Sequence, residues 1–93
     1  MTNWDTGKKS SQNKRELTVD KPATYSIRVV GHLNESWSTR LGGMTITSTG
    51  QGGKRTITTL SGPVIDQAAL FGVLKALYDM RLPLLSVECL EVN

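Results

Sequence analysis

A two-layer α+β domain, with a three-stranded antiparallel meander followed by one helix and a fourth strand, is the fold class this sequence predicts. Three observations carry the prediction. Residues 25 to 33 alternate apolar and polar side chains, and two Thr- and Ile-rich segments flank the glycine-dominated turn "GQGG". Residues 66 to 81 then carry a helical apolar stripe, stopped by Pro83 and followed by a second alternation.

The first alternation puts Tyr25, Ile27 and Val29 on one side, with Leu33 following after Gly31, and Ser26, Arg28, Val30 and His32 on the other. That is a strand with one buried face. Residues 34 to 43, "NESWSTRLGG", read as a loop whose Trp37 plugs the sheet end, with contact to a partner as its second reading. Residues 44–49 and 54–60 form a hairpin around the glycines, and Ser61-Gly62-Pro63 ends the third strand. Gly53-Lys54 is similar to part of a phosphate-binding loop, but Arg55 stands where that loop needs a hydroxyl and a strand follows, so the turn reading holds.

Asp66 is placed to cap a helix running to about Arg81, because its carboxylate can accept from the free amides of the first turn. Ala69, Leu70, Val73, Leu77 and Met80 share the core stripe, while Phe71 and Tyr78 fall on the outward one beside Lys75. In the last strand Leu85, Val87 and Cys89 are expected to point inward, Cys89 as a small buried hydrophobe. Leu84, Ser86, Glu88 and Leu90 are expected on the opposite face, with Arg28, Val30, His32, Thr45, Thr47, Thr56, Thr58 and Leu60. A crossover through the helix lays the fourth strand beside the first, so that the helix spans the sheet and covers one face.

Ninety-three residues make one domain, assigned to 23–93, preceded by a polar leader over 1–22. The leader lacks an apolar period and reads as disordered. Up to Ala23 its five basic residues (Lys8, Lys9, Lys14, Arg15, Lys21) face three acidic ones (Asp5, Glu16, Asp20), a net +2 of the chain's +3. The body is near neutral. Neither a membrane-spanning run nor a signal-peptide core is apparent, which gives a cytoplasmic expectation. One cysteine and one histidine supply neither a disulfide nor a structural zinc set, so no metal and no cofactor are expected.

A domain of this size is marginal without added support, and two aromatics on the outward side of a helix form either a contact surface or a stripe covered from within the chain, by the leader, by the 34–43 loop or by packing on Lys75. The leading reading is therefore a non-catalytic module that homodimerises or docks on a protein, with Phe71, Tyr78, Leu74 and Trp37 as contact candidates. The alternative is weak nucleic-acid binding by Lys8, Lys9, Lys14 and Arg15 on the leader, with Trp4 available to stack. A catalytic or small-molecule site would have to be built from Arg28, His32 and Glu88, and read first as a surface charge cluster.

The strings "YSIRVVGHL", "WSTRLGGMTI", "TLSGPVIDQAALFGVL" and "LPLLSV" give the chain, over about residues 25 to 89, a resemblance to a family of small prokaryotic proteins. The resemblance implies a compact α+β domain and no established activity. It also implies a histidine at the place of Phe71 and a glycine at the place of Arg81; this sequence departs at both, and no role for that histidine carries over.

Overall fold

The computed structural model describes residues 16–50 and 56–93. The disordered leader and the glycine turn of the sequence reading fall largely on 1–15 and 51–55, outside the described residues, as do Trp4, Lys8, Lys9, Lys14 and Arg15. Glu16 to Pro22 is exposed and tied to the body: the Val19 carbonyl accepts from the Gln67 amide (3.0 Å) and the Pro22 carbonyl from that of Asn93 (3.1 Å). In the turn between them the Thr18 hydroxyl donates to Asp20 at 2.7 Å, which holds that solvated carboxyl below its usual range.

The elements are β1 (Ala23–Val30), a 3₁₀ helix (Glu35–Leu41), β2 (Thr45–Thr49), β3 (Ile57–Val64), α1 (Gln67–Asp79) and β4 (Leu84–Val92). They build one four-stranded sheet in the order β2-β3-β1-β4, antiparallel at every pairing, so the α+β class holds and β4 does lie beside β1. The meander does not hold: β3 sits between β1 and β2, leaving β1 parallel to β2 and β4 antiparallel to β1. The physical reason lies in residues 31–44, long enough for the crossover that two parallel strands need and folded in part as the 3₁₀ helix rather than as a plain loop. Asn34 caps that helix, its carboxamide oxygen accepting from the Ser36 amide at 2.8 Å.

β3 also continues through Ser61-Gly62-Pro63 instead of breaking there. Its pairing with β2 ends at Ser61, so Pro63 pairs only with Thr24 and its missing N–H faces a side that no strand occupies. The longer strand reverses the expected inside and outside of β3. Thr58 and Leu60 pair with Val29 and Ile27 on the helix side and are fully buried, where the sequence reading had put them on the open face. A threonine is tolerated there because its hydroxyl donates to the Gly31 carbonyl (2.6 Å) and lies 3.0 Å from that of Ser48.

The core joins Ile27, Val29 and Leu60 of the sheet to Leu70, Val73 and Leu77 of α1, with Leu41 and Met44 closing the β2 side. Ala69 and Met80 pack half-buried against it. Asp66 is the cap, its carboxylate accepting from the Ala69 amide at 2.8 Å, and the Gln67 side chain donates to the Tyr25 hydroxyl at 3.0 Å. Asp66→Ala is expected to lower the unfolding free energy by about 1 kcal/mol, read as an earlier urea midpoint at unchanged slope. A loss within error would mean that tertiary packing alone holds the first turn. At the other end the Arg81 amide donates to Tyr78 and that of Leu82 to Leu77, with Arg81 at φ 65°. This left-handed position is the one where the family resemblance implies glycine.

Candidate interaction surface

α1 is short of covering the sheet. Its buried stripe sits over β1 and β3, while the 3₁₀ helix takes the space over β2, and nothing among the described residues lies over β4. The inward face of β4 is therefore open: Val87 and Cys89, paired with Ile27 and Tyr25, are exposed although their partners are buried. The expectation of a buried Cys89 is overturned for this reason.

β4 also carries two irregularities that the alternation had not anticipated. Its register against β1 shifts between Arg28 and Val29 and again between Thr24 and Tyr25, which leaves Leu85 and Leu90 as extra residues. Leu84 is thereby turned onto the helix side opposite Val29, not the open face. A signal was present: "LL" at 84–85 and "CL" at 89–90 are apolar doublets that break a strict period of two.

The outward stripe of α1 is where the sequence put it, with Phe71 62% and Tyr78 70% exposed. Lys75 in the same stripe pairs with Asp79 at 3.1 Å, one turn on, a solvated contact worth about 0.3–0.5 kcal/mol. Leu74, half-buried, turns this stripe toward β4. With Leu77, Tyr78, Leu82, Pro83 and Leu84 it lines an apolar groove of about 200 Å³. Helix flank and bare strand thus form one continuous step, the flank as its wall and β4 as its floor.

Trp37 is elsewhere. It belongs to the 3₁₀ helix on the β2 side, half-buried against the core, with the Arg40 guanidinium 5.4 Å from its ring centroid. The plug reading accounts for that position, and Trp37 does not line the groove.

Arg28, His32 and Glu88 are only partly brought together. Arg28 and Glu88 are diagonal neighbours on the open face, since Arg28 pairs with Ser86 and Ser26 with Glu88. His32 lies past the end of β1, beyond Gly31 at φ 120°, beside Asn34, Glu35 and Ser48. Among the described residues no group of three or more His, Cys, Asp or Glu is placed to hold a metal ion, and no helix is long and apolar enough to cross a membrane.

The fold and this surface define a two-layer α+β domain with an apolar step along one sheet edge. The chain belongs to the family described as a domain of unknown function, DUF8691, whose model matches residues 24–88. That span holds β1 through most of β4 and leaves the basic leader outside it. No curated protein and no solved structure matches the chain.

Proposed function

We propose that this domain is a non-catalytic interaction module that acts by homodimerisation or by docking on a protein partner. One observation carries the reading: Phe71 and Tyr78 stand exposed on the helix flank that, through Leu74, runs on into the groove and the bare strand. Contiguous apolar surface of this kind on a small domain marks a contact site. The nucleic-acid alternative rests on leader residues outside the described part, and the open face offers it little, Arg28 having Glu88 as its diagonal neighbour.

The test is the double variant Phe71→Ser with Tyr78→Ser. Both side chains are exposed, so stability should change by no more than about 1 kcal/mol, while the dissociation constant of the assembly should rise about tenfold or more. Circular dichroism and light scattering after size exclusion read the two quantities together. Unfolding of the variant would make the rings part of the core and end the proposal; unchanged association would do the same.

A further inference from the structure

The geometry points to a second copy of this chain as the occupant of the bare edge, paired antiparallel β4 to β4 about a two-fold axis at Val87, with Arg28 of each copy reaching Glu88 of the other. This inference rests on the interaction-module reading and gives it a partner and a register.

The two edges of the sheet differ. β2 is five residues long, rich in Thr and Ser, and its shortness protects it. β4 is nine residues, "LLSVECLEV", without lysine or proline; its two bulges guard its ends and leave Ser86 to Cys89 between them as the regular, unpaired part of the edge. Such an edge is stable in solution when it is paired. Tyr78, Leu84, Leu85 and Val87 stand exposed at or beside it, apolar surface that pairing with a second copy would cover together with the free backbone edge.

The register follows from the ladder that β4 already makes. At its start the Val30 amide donates to Pro83 (2.9 Å), and at its end the Asn93 amide donates to Pro22 (3.1 Å). Antiparallel pairs alternate between bonded and non-bonded, and each extra residue, Leu85 and Leu90, is passed without changing that order. The Val87 and Cys89 pairs are then non-bonded, so their N–H and C=O groups face outward and are free to bond a new strand.

Three two-fold centres lie in this stretch. A centre at Glu88 sets two carboxylates directly opposite one another in a close pair, which is repulsive. One at Cys89 brings the extra residue Leu90 into the pair beside the axis. Val87 avoids both. It meets its own copy on the helix side, flanked by Ile27 of each chain, and Glu88 falls opposite the small side chain of Ser86 from the second copy.

Beyond that Ser86, in the same row, stands Arg28 of the second copy. The two Cα atoms are about 10 Å apart at two strand spacings, within the combined reach of an arginine and a glutamate over a serine. Neither residue makes an ion pair within its own chain among the described residues. The symmetry makes the contact twice, so that Arg28 and Glu88, diagonal neighbours within each chain, each gain a second partner of opposite charge across the axis.

The experiment is sedimentation or light scattering of the full chain, at a series of concentrations, as wild type and with Val87→Glu and Val87→Lys. The wild type should be a dimer. Each variant alone should fall to a monomer of unchanged circular dichroism, with the dissociation constant raised about a hundredfold, because like charges meet at the axis. An equimolar mixture of the two should dimerise again, since position 87 meets itself in this register alone. Glu88→Arg, a solvated change that carries no risk to the fold, should weaken the dimer about tenfold and be rescued by adding Arg28→Glu. A monomeric wild type overturns the second-copy assignment and leaves docking on another protein as the module's mode. A dimer that ignores both Val87 variants overturns the β4 edge but leaves the module reading standing on the helix stripe. Variants that stay monomeric when mixed, or a reversal that is not rescued, overturn the register.

Discussion

Leu60→Ala is expected to remove about 2–5 kcal/mol of stability, while Ile57→Ala, three residues earlier in the same strand, removes clearly less. Leu60 lies in the middle of the sheet with Ile46 on one side and Ile27 on the other, and is fully buried under α1. Its truncation leaves a void lined by side chains from three strands, which cannot all relax into it. Ile57 sits at the start of the strand on the open face and is only half-buried. A domain of this length has about 5–10 kcal/mol in total, so the first variant should lose a large share of it, with a urea midpoint lower by about 2 M. Equal losses at the two positions would contradict the inside and outside of β3 described above.

That contrast marks the boundary of what the sequence made legible. Features set within a few residues of each other were read directly: the period of β1, the Asp66 cap, the buried stripe of α1 and its outward aromatics. Each depends on local geometry alone. The face of Leu60 depends instead on its register opposite Ile27 and Ile46, and the run of β3 past Gly62 and Pro63 on β2 beginning only at Thr45, opposite Ser61; both are facts about other strands. Propensity argues for a break there; tertiary placement overrides it because the proline meets no partner on its bare side.

The candidate surface divides in the same way. Phe71 and Tyr78 were visible because a helical wheel places them without reference to anything else. The bareness of β4 was not, because it follows from where α1 and the 3₁₀ helix share the space above the sheet. One helix is expected to cover the whole inward face; the 3₁₀ helix takes the β2 side, and the inward residues of β4 are left exposed. Arg28 and Glu88 read as a solvated pair of charges from the sequence, and their placement as diagonal neighbours follows from the β1–β4 register, which the sequence does not print.

Gly31→Ala should destabilise the domain by about 3 kcal/mol, well beyond the usual cost of a surface glycine replacement. Two terms combine. Gly31 adopts φ 120°, which L side chains rarely adopt, and an added Cβ would lie 2.7 Å from Cδ2 of Leu82. The backbone has no freedom to yield, since the Gly31 amide donates to Thr56 (2.7 Å) and its carbonyl accepts from Thr58 (2.6 Å). Leu82 can yield only by leaving the core surface and the groove it lines. The terms separate by comparison. Gly43 also has a positive φ, 73°, but a Cβ there meets nothing within 4 Å, so Gly43→Ala should carry backbone strain alone, about 1–2 kcal/mol. Leu82→Ala removes the obstructing methyl, so Gly31→Ala in that background should cost less than it does in the wild type, with a coupling of about 1 kcal/mol. Strict additivity would mean that the strain is entirely in the backbone and that Leu82 does not press on the end of β1. A coupling of the expected size would tie the turn after β1 to the groove, through the residue that lies between the helix end and the exposed strand.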